Sequence, residues 1–389
     1  MGGATSDSGA LAGWGPGPVS EAEAMGMALE LARRGVRGAN PLVGAVILDP
    51  AGQVLAHGYH RGAGTPHAEA DALAAAAAAG TDVSGATMVV TLEPCNHTGR
   101  TGPCSQAILA AGISRVVYAA ADSNAEAAGG AAALAAAGVD AEGGLLAAES
   151  AELNHRWALA MAGRRPFVTV KTAQTLDGRT AAEDGTSQWI TGSAARTDGH
   201  GIRSRADAVV VGTGTVLADD PQLTARDELG GAARRQPLRV VVGHRPVPDN
   251  AAIRGTDGRF LQLDSHDPEV ICRDLYGRGV RHLMVEGGAQ VASAFLRAGL
   301  ADELVAYVAP VLLGAGTSAV GDLGVQTLAD ASRWRWDVTD GGPARLVGQD
   351  LRLRLEPVPE TGATPAEHHL GSGPPRMNTD ELNPPRTEH

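Results

Sequence analysis

The tightest constraint on how this chain folds comes from two short segments, Pro66-His67-Ala68-Glu69 and Glu93-Pro94-Cys95, the second followed by Cys104. One imidazole and two thiols form a good zinc donor set, and three protein ligands leave a fourth tetrahedral position open for water. For these groups to meet, two distant pieces of chain must converge. Ala68 to Ala79 is almost pure helix former, and Thr87 to Leu92 reads as a buried strand.

Glu69 follows His67 by two residues and need not bind metal. It is placed to take a proton from an activated water and pass it to a departing amine. His-x-Glu with Pro-Cys and a second Cys is the pattern of zinc deaminases acting on nucleobases. Here eight residues rather than two separate Cys95 from Cys104, and Gly99, Gly102 and Pro103 let the loop return. The competing readings are buried thiols with a surface His, or a structural site closed by His97 as fourth ligand. Cys272, after Val270-Ile271, reads as a core thiol with no part in the metal site.

At 389 residues the chain exceeds what one core usually organises, so two domains are expected. Ser20 with Glu23 reads as a capping box opening a helix over Ala22 to Arg34. Val43 to Leu48 and Val54 to Tyr59 form a hairpin about Asp49-Pro50-Ala51-Gly52. Helix Ser105 to Ala111, strand Val116 to Ala120 and helices Ala131 to Ala137 and Ala147 to Met161 complete an α/β layer pattern. The boundary falls near residues 145 to 165, giving domains at 19–150 and 165–356. Beyond it, strands Phe167 to Lys171, Ala208 to Gly212, Leu238 to Val242, His282 to Glu286 and Leu304 to Ala309 alternate with helical patterns. They predict a mainly parallel sheet covered on both faces. The Gly-, Ser- and Pro-rich ends, 1–18 and 357–389, read as disordered tails.

Charge narrows the partners. A net charge of −12 with no Lys/Arg-rich block disfavours nucleic acid. No membrane-length apolar run or signal-like start occurs, and only three cysteines are present, so a cytoplasmic enzyme with a small-molecule partner is expected.

Asn40-Pro41-Leu42-Val43-Gly44, Gly58-Tyr59-His60, His67-Ala68-Glu69 and the long-spaced Cys95/Cys104 loop with Gly99-Arg100-Thr101 resemble the bifunctional deaminase/reductase family of riboflavin biosynthesis. The likeness runs from about residue 20 to 355. It implies a cytidine-deaminase-like α/β/α sandwich, with Asn40 and His60 contacting a phosphorylated pyrimidine. Read without it, Asn40-Pro41 is a turn and His60 a surface residue. The family commonly has Asp-Pro-Asn-Pro where this chain has Asp122-Ser123-Asn124-Ala125.

In the second half, Val211-Gly212-Thr213-Gly214-Thr215 and Glu286-Gly287-Gly288-Ala289-Gln290 place small residues at strand-to-helix turns, where phosphates bind well. Neither completes a Gly-x-Gly-x-x-Gly fingerprint. The resemblance extends to Lys171 through Arg179, Ser187 through Gly192, Ala218-Asp219-Asp220-Pro221 and Val285-Glu286-Gly287-Gly288. It implies a dihydrofolate-reductase-like α/β domain. Ala173, Trp189, Thr215, Asp219 and the loop from Gly288 would face NADPH, and Lys171, Ser187, Arg203, Leu223, Arg226 and Glu286 the substrate. Arg203 and Arg226 suit a phosphate, and Glu286 suits sugar hydroxyls. Where the family usually has Asp after Arg239-Val-Val-Val, this chain has Gly243-His244. Taken without the resemblance, Trp189 is a core aromatic.

The combined expectation is a homo-oligomeric, zinc- and NADPH-dependent enzyme. It deaminates 2,5-diamino-6-(5-phosphoribosylamino)pyrimidin-4-one and then reduces the ribosyl group to ribityl. Three alternatives stand beside it: a deaminase with an inactive or regulatory reductase-like half, a nucleic-acid base deaminase, and a zinc-stabilised binding module.

Overall fold

The computed structural model describes residues 17–36, 38–62, 64–97, 102–122, 128–227, 229–233, 235–337 and 342–358. Gly99-Arg100-Thr101, Ser123-Asn124-Ala125 and all of both tails except Gly17, Pro18, Pro357 and Val358 lie outside the described residues.

The first half runs α1 (Glu21–Arg33), β1 (Gly44–Leu48), β2 (Val54–Tyr59), α2 (Ala68–Ala78), β3 (Thr87–Leu92), α3 (Cys104–Ala110), β4 (Arg115–Ala120), α4 (Gly130–Ala136), β5 (Asp140–Gly143) and α5 (Ala147–Gly163). The Ser20/Glu23 capping box is formed, with Ser20 Oγ accepting from the Glu23 N–H at 3.3 Å. The five strands lie in the order β2-β1-β3-β4-β5, antiparallel around β1 and parallel from β3 onward. One face of the sheet packs on α1 through Met25, Ala28 and Leu31. The other packs on α2, α3 and α4 through Ala72, Ile108 and Leu134. This is the α/β/α sandwich expected from the sequence.

Two motif glycines explain how closely the layers approach. A Cβ on Gly44 would fall 2.0 Å from the Ala28 carbonyl oxygen, and one on Gly58 would fall 2.3 Å from the Ala72 nitrogen. Any side chain there would push α1 or α2 off the sheet. Gly58 thus seats α2, with His67 and Glu69 at its start, directly against β2, whose last residue Tyr59 precedes His60.

The second half contains β6 (Phe167–Thr175), β7 (Arg179–Ala181), α6 (Ser193–Arg205), β8 (Ala208–Gly212), α7 (Thr213–Asp219), β9 (Leu238–Val242), β10 (Phe260–Leu263), α8 (Pro268–Gly277), β11 (His282–Val285), α9 (Ala289–Arg297) and β12 (Glu303–Ala309). Short strands β13 (Thr317–Ser318), β14 (Trp334–Trp336) and β15 (Ala344–Val347) precede β16 (Asp350–Pro357). Six strands, in the order β10-β9-β8-β11-β6-β12, are parallel, with core clusters on both faces, as the buried apolar runs predict. The sheet then continues antiparallel through β16 to β14, with β15 also on β16, an extension absent from the sequence reading.

Helix α5 belongs to both halves. Asn154 accepts from the Leu42 N–H at 2.8 Å and donates to the Leu42 carbonyl at 2.9 Å. From the same helix Arg156 pairs with Glu303 of β12 at 2.9 Å, and its guanidinium lies 5.5 Å from the Phe167 ring centroid. Glu303 is also bonded by Arg354 and Thr169, which tie β16 and β6 into the same buried network.

Candidate functional site

His67 is the N-cap of α2, Cys95 follows the Glu93-Pro94 exit from β3, and Cys104 opens α3. The His67 Nδ1 atom lies 3.5 Å from Cys95 Sγ and 3.3 Å from Cys104 Sγ, and all three donor atoms fall within 4.8 Å of one another. The Cys104 N–H donates to Cys95 Sγ at 3.4 Å, a bond that favours thiolate. Contact with Cys104, set against burial and aided by His67, brings the Cys95 thiol down to about 4, while the same contact with Cys95 pushes the Cys104 thiol up. Two soft thiols and one imidazole, buried and converging, fit zinc. The reading of the cysteines as unrelated core thiols fails on this convergence. The two sulfurs are free and unbonded to each other.

Glu69 sits in the first turn of α2 with 4% of its surface exposed, and burial raises its carboxyl to about 7. It shares a cavity of about 150 Å³ with Asn40, His60, His67 and Cys95. His60 is not a surface residue: it is 2% exposed. Its Nδ1 lies 2.9 Å from the Pro66 carbonyl, which requires a proton there, so its Nε2 accepts from the Asn40 amide at 3.0 Å. Burial lowers the His60 pKa, in keeping with this neutral form. The imidazole thereby fixes which way the Asn40 amide lies.

His97 lines the same cavity but is outside the three-ligand group, and its buried Nδ1 has no hydrogen-bond partner among the described residues. That arrangement does not fit a closed four-ligand structural site. Asp122 also borders the cavity. The Glu93 carboxylate accepts N–H groups from Asp122 at 3.3 Å, Gly129 at 3.0 Å and Ala131 at 3.1 Å. Cys272 lies in α8, buried in the second-half core, where burial pushes its thiol up to about 12.

In the second half the structure joins some expected residues and leaves others apart. Arg203 on α6 grips Glu286 with Nε at 3.0 Å and Nη2 at 2.7 and 2.8 Å, and Lys171 on β6 reaches the same carboxylate at 3.3 Å. Burial acts to raise the Glu286 carboxyl, but Arg203 and Lys171 overcome it and hold it at about 2. Arg203 also donates to the Thr224 carbonyl at 2.7 Å, so its fork is committed to the protein and is not a free phosphate donor. His200, which no motif marks, lies 3.4 Å from Arg203 and within the field of Arg226. Leu223 is buried with φ 51° and Ser187 is partly buried. Trp189 is 71% exposed with φ 67° and stacks with Arg196 at 4.3 Å, so it is not a core aromatic.

The two glycine turns meet where Gly288 donates its N–H to Thr215 Oγ1 at 3.3 Å. A Cβ on Gly287 would come 2.9 Å from Val291 Cβ of α9 and one on Gly212 would come 3.0 Å from its Cγ2, so both turns run close against that helix. Gly212, Thr213 and Gly214 border a cavity of about 480 Å³ that reaches Gln290 in the first turn of α9. A glycine turn beside a helix N-terminus suits the phosphates of a pyridine nucleotide. Ala173 lies on β6 opposite Tyr307 of β12, and Asp219 ends α7 exposed. The departure at Gly243 has a local cause: with φ 125°, a Cβ there would come 2.8 Å from His266 Cε1. His244 borders the same cavity and pairs with Asp264 at 2.5 Å.

Comparison with known proteins agrees with this division. Residues 19–120 match the cytidine and deoxycytidylate deaminase zinc-binding region, and 166–339 match the RibD C-terminal domain. Riboflavin biosynthesis protein RibD of Mycobacterium tuberculosis is 46% identical over 336 residues, 86% of this chain and 96% of that protein. The chain belongs to the RibD family. Among solved structures, Acinetobacter baumannii RibD superposes with a TM-score of 0.77 at 36% identity, covering 87% of this chain and 99% of that one. A Thermotoga maritima protein described as a diaminohydroxyphosphoribosylaminopyrimidine deaminase/5-amino-6-(5-phosphoribosylamino)uracil reductase gives 0.74 at 31% identity, with the same coverage. As a RibD family member the chain is bifunctional, a zinc-dependent deaminase joined to an NADPH-dependent reductase. The reading of its second half as inactive or merely regulatory is set aside. Among the described residues no helix is long and apolar enough to cross a membrane.

Proposed function

We propose that this chain deaminates 2,5-diamino-6-(5-phosphoribosylamino)pyrimidin-4-one and then reduces the deaminated product's ribosyl group to ribityl. The observation that carries the reading is the convergence of His67, Cys95 and Cys104 beside the buried carboxyl of Glu69. His67, Cys95 and Cys104 would hold zinc, which when bound would supply Lewis acidity that activates water near neutral pH. Glu69, its carboxyl raised to about 7 by burial, accepts the proton of the attacking water and delivers it to the departing ammonia. Asn40, locked by His60, hydrogen-bonds the pyrimidine edge.

In the second half, Ala173, Trp189, Thr215, Asp219 and the loop from Gly288 border NADPH. Lys171, Ser187, Arg203, Leu223, Arg226 and Glu286 border the ribosyl phosphate. Within that set Arg203 orients Glu286, whose ionised carboxylate accepts from sugar hydroxyls, and exposed Arg226 is the better phosphate donor. NADPH held there would supply a hydride for C1 of the ring-opened ribosyl imine, whose nitrogen takes its proton from solvent. Positioning of the two partners is the protein's main contribution.

The domains fall at 19–150 and 165–356, a division supported by the separate five- and nine-stranded sheets and the two matched ranges. A homo-oligomer is supported by Trp336 at 55% and Leu346 at 75% exposure on the strands flanking β16, an apolar sheet edge suited to a second copy. The unbonded Cys95 and Cys104 sulfurs suit the cytoplasm. Cys95→Ser tests the assignment. Zinc content and ammonia release should both be lost while NADPH-dependent reduction of pre-deaminated substrate persists. Retention of stoichiometric zinc would remove Cys95 from the ligand set.

A further inference from the structure

The cavity that holds Glu69 and Asn40 is completed by α5, a helix outside the matched deaminase range. Trp157 and Met161, one helical turn apart, both border it. Trp157 is the largest aromatic side chain among the residues lining the cavity, while His67, Cys95, Glu69, Asn40 and His60 are polar or metal-binding in type. A heteroaromatic ring held at its edge by such polar groups needs a flat apolar surface against its face.

The placement of this wall is fixed from two sides. Trp157 Nε1 donates to the Ala39 carbonyl at 3.1 Å, in the residue before Asn40, and Asn154 holds Leu42 just beyond. From the second half, the Tyr276 hydroxyl donates to Met161 Sδ at 3.7 Å, and Glu303 anchors Arg156 at 2.9 Å. We propose that Trp157 and Met161 are specificity-determining residues of the deaminase, forming the face on which the pyrimidine ring lies. The deaminase pocket therefore ends beyond residue 150, in a helix held in place by the reductase half.

This inference rests on the pyrimidine-deaminase reading, and kinetics on the full-length, zinc-loaded protein separates the two. If the wild type releases no ammonia from the diamino-pyrimidinone ribosyl phosphate, the function is wrong. If it does, Trp157→Ala should raise KM for deamination about tenfold or more, the usual loss when an aromatic platform under a base is removed. Its kcat should stay within about threefold, because the reacting groups are untouched. Zinc content and reduction of pre-deaminated substrate should not change. Trp157→Phe, which keeps a ring but loses the bond to Ala39, should recover most of the KM. An unchanged KM in Trp157→Ala, or a fall in kcat alone, overturns the proposal. Should Trp157→Ala lose zinc or fail to fold, Met161→Ala decides: a raised KM with intact zinc supports the wall, and an unchanged KM overturns it.

Discussion

In the proposed mechanism Glu69 is the residue on which the deaminase chemistry turns, since it is buried beside His67, Cys95 and Cys104 without belonging to that group. Glu69→Gln preserves shape and hydrogen bonding but cannot shuttle a proton. It should retain zinc by metal analysis and lose ammonia release by about a hundredfold or more. Loss of zinc in that variant would make Glu69 a ligand instead. The convergence of His67, Cys95 and Cys104 was legible in the sequence because zinc chemistry restricts donors to few residue types, and His67 and Glu69 are local to one helix start. Asn40 and His60 were legible only through family resemblance. What makes His60 buried and neutral is the Pro66 carbonyl and the Asn40 amide, contacts that no local pattern encodes. Trp157 and His200 were missed for a related reason. Each sits in a helix whose sequence carries no motif, and its significance comes from what the fold brings opposite it. The commitment of Arg203 to Glu286 was likewise invisible, because the partners are far apart in the chain.

Among the elements, α5 does most to connect sequence to site. Its Asn154 satisfies both backbone groups of Leu42 and so holds the Asn40 loop. Asn154→Ala leaves a buried N–H and carbonyl without their partner, at a cost of about 1–3 kcal/mol for each group left unsatisfied. Urea unfolding should show lower stability, and deamination should show a raised KM while reduction of pre-deaminated substrate is spared. Unchanged stability would mean that this pair does not clamp the loop. Helices and central strands were legible because their apolar runs are long. The short edge strand β5, Asp-Ala-Glu-Gly, has no apolar pattern to read. Strand β16 inverts the usual rule, burying Asp350, Arg352 and Arg354 while its leucines stay partly exposed. Asp198 pairs with Arg352 and Glu303 with Arg354, so a strand that looks outward-facing by its charges turns those charges inward.

At the scale of the whole molecule, two catalytic halves share one connecting helix, and the Arg156–Glu303 pair fastens that helix to the reductase sheet. The two-domain α/β plan was readable from length, the layer pattern and the change in strand character after Arg164-Arg165-Pro166. The shared wall was not, because it depends on tertiary packing across the two halves. On the proposed function, one chain performs two chemistries in order on one substrate. The most direct test supplies purified, zinc-loaded protein with the diamino-pyrimidinone ribosyl phosphate and NADPH, and records ammonia release and NADPH oxidation together. Ammonia should appear first, followed by one NADPH oxidised per ammonia released. NADPH oxidation that runs at full rate without any ammonia release would contradict it.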